Sequence, residues 1–316
     1  MKKFWLGIAA ATALLIGVNT VSIAHAATAD PPEVYVGYFR SWRDSNSDSL
    51  VNKNAMSDLP PEVGIAVVFP SGDESANFWV TLPSQIALLH QKGTKVIRNF
   101  PIRALYAQTF ADPGESSAMK PFTNNTAGYT QRAKEILTHY LSPLTLDGLV
   151  VNAEESLSGT NLQRAKGVVT QLAKSVGKQS KSQKLFIYDT NLPGTDALFK
   201  QTHGVYNYVF SDAYGRSVSS LDQTWQTFKG LITPNQFIPG FSFYEENGAD
   251  WGDTTLPLNQ SRAYRYAKWE PTGETQHKGG IFAYAVDRDG VPIGADAIVH
   301  SDFTWSKQLY QAMNTK

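Results

Sequence analysis

Eight short, apolar and largely β-branched runs alternate along this chain with helical or long polar connections, and that alternation limits the fold more than any other feature. The runs cover residues 34–39, 64–69, 95–100, 146–151, 184–188, 206–210, 236–243 and 280–286. Their length and continuous apolar character suit strands buried on both faces of a parallel sheet. Helical patterns at 83–91, 129–140, 162–176, 221–231, 260–269 and 306–313 fall between or after them. Eight such units point to an α/β fold, a single (β/α)8 TIM barrel. An open doubly wound sheet is the rival, but no GxGxxG fingerprint follows the first run. The connection at 103–128 is long and polar, with Pro113-Gly114 and Asn124-Asn125 turns, as expected of a lid or a substrate wall.

The N-terminus implies export. Lys2 and Lys3 precede an apolar stretch from Trp5 to Val18, and Ala24-His25-Ala26 has the small residues of a cleavage site. The apolar stretch is shorter than the roughly 20 residues of a membrane span. We therefore read 1–26 as a signal peptide, 27–33 as a short linker and 34–316 as the barrel, secreted and free of the membrane after cleavage. The sequence has no cysteine, so an exported form must rely on its packed core rather than on disulfides. Charge is balanced at 28 basic and 28 acidic residues with no basic block, which argues against nucleic acid or an anionic membrane as a partner. Aromatic residues make up 12% of the chain and recur near the ends of the predicted strands, where their faces suit sugar rings.

In a barrel of this kind the chemistry sits where the strands end. The fourth run, Leu146-Asp147-Gly148-Leu149-Val150-Val151-Asn152-Ala153-Glu154-Glu155, passes abruptly from apolar residues to acids. Alternation along a strand puts Val150, Asn152 and Glu154 on one face and Asp147, Leu149 and Val151 on the other. A glycosidase needs a carboxylic acid in a mostly apolar place, and Glu154 is the candidate. The other strand ends offer Tyr38, Arg40 and Trp42, then Asn99, Asp189, Asp212 and Tyr214, then Tyr244, Glu245 and Glu246, and finally Tyr284, Asp287 and Arg288. The six histidines show neither HxH nor HxxxH spacing and no EF-hand run occurs, so neither a catalytic metal nor a cofactor is expected. A Ser-His-Asp hydrolase is also disfavoured, because Gly240-Phe241-Ser242-Phe243 lies within a strand-like run and lacks the second glycine of a nucleophile elbow.

The stretch Asp147 to Glu154 resembles the DGxDxDxE signature of family-18 glycoside hydrolases, with Glu154 at the general-acid position. The resemblance extends to the secreted endo-β-N-acetylglucosaminidases of the endoglycosidase S type. It is carried by Tyr38-Phe39-Arg40-Ser41-Trp42-Arg43-Asp44, Lys92-Gly93-Thr94-Lys95-Val96-Ile97-Arg98, Gly240-Phe241-Ser242-Phe243-Tyr244-Glu245-Glu246-Asn247, the stretch from Gly279 to Gly290, and His300-Ser301-Asp302. It implies hydrolysis of the β-1,4 bond of the N,N'-diacetylchitobiose core, with N-linked glycans or glycoproteins as partners of a monomeric enzyme. The implied mechanism is retaining and substrate-assisted: the acid protonates the glycosidic oxygen while the 2-acetamido oxygen attacks C1. Tyr214 is implied as a donor to the acetamido oxygen and Tyr284 as aromatic floor. Tyr38, Trp42, Asp189, Tyr244 and Glu245 complete the expected substrate-binding set.

Two departures from the pattern matter. Both inward aspartates of the signature are replaced, by Val150 and Asn152. An Asn carboxamide can pair with the acetamide but brings no negative charge, although Asn-x-Glu also resembles the arrangement of family-85 endo-β-N-acetylglucosaminidases. Second, the chain reads Asp212-Ala213-Tyr214 where the relatives carry Gln or Met two residues before the tyrosine. If Asp212 faces inward, it can replace part of the missing charge; a surface acid at a loop start is the other reading. Two function classes stay open at this point: an endoglycosidase, which retention of Glu154 favours, and a catalytically silent glycan-binding barrel. A chitinase is the third alternative.

Overall fold

A computed structural model of the chain describes residues 32–113, 118–142 and 144–315; the predicted signal peptide, most of the predicted linker and the predicted turn at Gly114 lie outside the described residues. Eight parallel strands close into a barrel in sequence order: β1 Val34–Arg40, β2 Val63–Phe69, β3 Lys95–Pro101, β4 Gly148–Asn152, β5 Leu185–Thr190, β6 Tyr208–Asp212, β7 Phe237–Ser242 and β8 Gly280–Tyr284. The helices between and after them are α1 Ala76–Gln91, α2 Arg103–Tyr106, α3 Thr126–Ile136, α4 Gly159–Leu172, α5 Ala197–Thr202, α6 Val218–Phe228, α7 Arg262–Lys268 and α8 Thr304–Asn314.

Strand alternation divides the apolar residues into two cores. Tyr35, Phe39, Val68, Val96, Leu149, Val151, Phe186 and Val209 point outward and pack beneath the helices. Val36, Tyr38, Ile65, Val67, Ile97, Val150, Ile187, Phe210, Ile238 and Phe282 point inward and fill the barrel. The inward face of β4 is therefore the predicted one. Two glycines make this packing possible. A Cβ on Gly240 would lie 2.0 Å from the Phe282 ring, so the aromatic plug of the barrel requires a bare backbone on β7. A Cβ on Gly148 would lie 2.3 Å from the Leu185 carbonyl oxygen, which makes the Gly of the Asp-Gly pair a close-packing residue. Its neighbour Asp147 accepts a hydrogen bond from the Val96 amide at 2.7 Å and lies 2.8 Å from His90 Nε2, fixing the start of β4 against β3.

The elements differ from the sequence expectation at their edges. Helix α1 starts seven residues before Pro83, with Ser75 accepting a hydrogen bond from the Phe78 amide as its cap. Helices α2 and α5, of four and six residues, have too few turns to show a period. The eighth strand stops at Tyr284 because Ala285 adopts a left-handed conformation (φ 54°) that turns the chain into a 3-10 helix over Val286–Arg288.

Candidate active site

Moving up the inside of the barrel, the lining changes from aliphatic to polar. The apolar layers of Val36, Ile65, Ile97, Val150, Ile187 and Phe210 give way to Tyr38, Asn99, Asn152, Asp189 and Asp212 at the C-terminal mouth. Register explains the convergence, since Asn99 pairs with Val150, and Asn152 pairs with Asp189 across β4 and β5. Asp189 and Asp212 are only 4% and 7% exposed. Buried oxygens of Asn99 (Oδ1), Asn152 (Oδ1), Asp189 (Oδ1) and Asp212 (Oδ2) have no protein hydrogen-bond partner among the described residues. Groups of this kind are costly to bury unpaired, and their clustering at a barrel mouth marks a polar ligand site.

Backbone bonds fix the peptide that carries Glu154. Strand β4 ends at Asn152, whose carbonyl accepts from the Ile102 amide at 2.9 Å. The Ala153 amide then donates to the Asp189 carbonyl at 2.7 Å, and its own carbonyl accepts the Thr190 hydroxyl at 2.6 Å. Glu154 follows directly, exposed at the mouth rather than enclosed in the apolar setting expected of it, because the strand has already ended. Its charge reaches both Asp189 and Asp212. Glu155 is turned elsewhere and accepts the Tyr106 hydroxyl at 2.6 Å.

The two buried aspartates are strongly perturbed. Burial pushes the Asp212 carboxyl up to about 7, the Glu154 charge adds to the rise, and the neighbouring Tyr214 hydroxyl, the Asp189 carboxyl and the Arg216 charge oppose it. Asp189 is driven well above the usual carboxylate range by burial and by Asp212, while the Tyr38 hydroxyl, 2.6 Å from Asp189 Oδ2, works in the other direction. Burial also raises the Tyr38 and Tyr214 hydroxyls, with Asp189 and Asp212 respectively adding to the effect, so both remain donors. The loop bearing Tyr214 is held from below. Tyr266 donates to the carbonyls of Ala213 and Arg216, each at 2.6 Å, and Asp253 accepts from the Gly215 and Ser242 amides.

Aromatic rings line the approach. Phe69 and Tyr284 meet edge to face at 5.6 Å, Trp42 lies 6.3 Å from Phe69, and Tyr214 lies 6.1 Å from Tyr284 and 5.9 Å from the exposed Trp251. Phe69 follows Ile65 and Val67 on the inward face of β2, a signal the sequence carried, whereas the placement of Trp251 depends on the β7–α7 loop. A cavity of about 430 Å³ opens beside Asn99, walled by Trp79, Arg98 and Glu74, with Arg98 stacked 4.7 Å over the Trp79 ring.

The remaining candidates form a separate ionic cluster at the edge of the mouth. Arg40 reaches Asp287 at 2.6 Å, Glu246 at 2.9 Å and Glu245 at 3.1 Å, and Arg43 also contacts Glu246. Burial opposes the Arg40 charge, but the surrounding carboxylates outweigh it and hold the guanidinium ionised. Glu245 is thus tied to Arg40, with the Tyr284 hydroxyl 3.5 Å away. Tyr244 does not join the central group, since its hydroxyl donates to Asp296 at 2.9 Å on the rim. Glu33, Glu270 and His277 come close enough to hold an ion at the opposite end of the chain's fold, but the buried Lys278 ammonium already contacts Glu33 at 2.5 Å there.

Residues 37–283 match the family model of the endo-β-N-acetylglucosaminidase EndoS TIM-barrel domain. The chain belongs to that family. Endo-β-N-acetylglucosaminidase F2 of Elizabethkingia meningoseptica is 37% identical over 290 residues, covering 89% of this chain and 82% of the relative. Endo-β-N-acetylglucosaminidase EndoS of Streptococcus pyogenes serotype M1 is 31% identical, and the match takes in only 33% of its length. Among solved structures, the endo-β-N-acetylglucosaminidase of Cordyceps militaris superposes with a TM-score of 0.83 at 44% identity, covering 90% of this chain and 92% of its own. A mutant of that fungal enzyme with an Asp-to-Asn and a Glu-to-Gln change was solved in complex with fucosyl-N-acetylglucosamine-Asn. The chain is accordingly a glycoside hydrolase of the endo-β-N-acetylglucosaminidase type, and the open choice between enzyme and silent lectin falls on the enzyme side.

Proposed function

We propose that the protein is a secreted enzyme that cuts the β-1,4 bond of the N,N'-diacetylchitobiose core of N-glycans, leaving one N-acetylglucosamine on the asparagine. The observation that carries this reading is the convergence of Glu154 with Asn152, Asp212 and Tyr214 around one polar floor beneath an aromatic mouth. Glu154, accessible at the end of β4, protonates the glycosidic oxygen. Tyr214, whose hydroxyl meets Asp212 in the free protein, turns to donate to the acetamido oxygen as that oxygen attacks C1, and Asn152 offers its Oδ1 to the acetamido N–H. Positive charge develops on the resulting oxazolinium ring, and Asp212, a buried carboxylate at the same mouth, can balance it. Glu154, now ionised, then activates the water that opens the ring, so the anomeric configuration is retained. The Asp-to-Asn and Glu-to-Gln changes in the fungal relative lie two positions apart, the spacing of Asn152 and Glu154 here.

The leader-like N-terminus supports export, and a chitobiose-core substrate on a secreted or surface glycoprotein agrees with it. The test is intact-mass spectrometry of high-mannose, hybrid and complex glycoproteins after incubation with the purified protein. Shortening to a single N-acetylglucosamine per site is the expected result. Measurable binding without release from any of the three would return the reading to a lectin, and cleavage confined to chitin oligomers would make it a chitinase.

A further inference from the structure

We propose that Asp189 acts as a neutral acid in a hydrogen-bond relay, Tyr38 O–H to Asp189 and Asp189 O–H to Asp212, which holds Asp212 as the single anion facing the substrate's acetamide. The relay would supply from β5 and β6 the charge that the usual signature places on β4. This inference rests on the substrate-assisted reading above.

The geometry assigns each atom a role. Tyr38 donates to Asp189 Oδ2 at 2.6 Å, which leaves Asp189 Oδ1 as the other oxygen of that carboxyl. Asp189 Oδ1 and Asp212 Oδ2 are both buried without a partner among the described residues when both acids are ionised, and the register of β5 and β6 brings the two side chains to the same rim. A proton on Asp189 directed at Asp212 satisfies both orphans at once, whereas two adjacent buried anions would leave them opposed. Which acid keeps the proton follows from the surroundings. In the free protein Asp212 receives the Tyr214 hydroxyl and also feels Arg216, both of which favour its anion, while against the Tyr38 hydroxyl Asp189 meets the charges of both Asp212 and Glu154. Other groups near the pair are Tyr284, whose ring lies 6.1 Å from that of Tyr214 and 6.5 Å from that of Tyr38, and the uncharged Asn152 from β4.

Asp189 is therefore a positioning residue, and its substitutions should behave asymmetrically. An Asn at 189 can accept from Tyr38 through Oδ1 and donate to Asp212 through Nδ2, as the protonated acid does. Asp189→Asn should keep kcat within about fivefold of the natural enzyme, while Asp212→Asn removes the anion and should cost about a hundredfold or more. In the natural enzyme kcat should rise with pH as Asp212 ionises, through about 7. Asp189→Asn should leave that limb in place, and Asp189→Leu, which removes the donor, should move it to higher pH. Infrared spectroscopy at pH 8 provides a readout independent of turnover. A buried protonated-carboxyl band should be present in the natural protein and in Asp212→Asn, and absent from Asp189→Asn. Equal kcat losses in the two Asn variants, or a band that survives in Asp189→Asn and disappears in Asp212→Asn, would overturn the relay. If the natural protein releases no glycan, the infrared result still decides the relay, and only the functional reading fails.

Discussion

Replacing Asp212 by Asn should make the protein less active and more stable, and the two effects should have different pH dependences. The native Asp212 carboxyl is held up to about 7 by burial and by the Glu154 charge, whereas an unfolded chain exposes an ordinary Asp near 3.8. Between those values the native state binds more protons than the unfolded state, so native stability falls as pH rises through this window. At pH 8 the full difference of about 3 pH units corresponds to a penalty on the order of 4 kcal/mol at 1.36 kcal/mol per unit. At pH 4 the native carboxyl is protonated and the unfolded one is only about half ionised, so the penalty shrinks to less than about 1 kcal/mol. Asn is nearly isosteric and never ionises, so Asp212→Asn should gain most of that penalty at pH 8 and almost nothing at pH 4. Equilibrium urea unfolding of both proteins at the two pH values measures this directly. A stability gain that is equal at both pH values, or a loss at pH 8, would show that Asp212 is not a buried anion formed at the expense of the fold.

Tyr214→Phe should lower kcat by roughly one hundredfold with a small change in KM, because the lost hydroxyl acts on charge that develops as the oxazolinium forms; steady-state kinetics on a glycopeptide checks it. Gly240→Ala should destabilise the barrel by about 1–3 kcal/mol in urea unfolding, since its methyl would fall 2.0 Å from the Phe282 ring and force the plug to shift. Arg40→Met should cost about 3–5 kcal/mol, because Asp287, Glu246 and Glu245 would lose their common cation while staying close together; chemical denaturation reads that loss. The first-formed product should be the β-anomer in proton NMR, and an initial α-anomer would exclude a retaining route.

The barrel was legible because period-two alternation and strand length are local properties. Val150 and Asn152 could be placed on the inward face of β4 from five consecutive residues, and all eight strands lie within two residues of the runs read from the sequence. The shared rim of Asp189 and Asp212 was not legible, since it depends on register: Asp189 pairs with Phe210, which brings Asp212 one layer higher. The setting of Glu154 was misjudged for a related reason. Alternation says which way a residue points only while the strand continues, and β4 ends two residues earlier. Tyr244 and Glu245 stood at a strand end like the other candidates, yet Asp296 and Arg40 draw their polar atoms to the rim through loops that carry no periodic signal. Pro83 concealed the first half of α1 because a proline reads as a helix start, whereas here the helix has already begun at Ala76.

The most direct test of the account compares Glu154→Gln and Glu155→Gln with the natural enzyme in a single kinetic assay of glycan release from one glycopeptide. Glu154 stands at the mouth within reach of the Asp189 and Asp212 charges, while Glu155 is held by the Tyr106 hydroxyl. Gln cannot deliver the leaving-group proton, so Glu154→Gln should lose at least about a thousandfold in kcat while glycan affinity stays nearly unchanged. Glu155→Gln should remain within a few fold of the natural rate. Near-normal release by Glu154→Gln, or equal losses at the two positions, would contradict the assignment of Glu154 as the acid on which this mechanism depends.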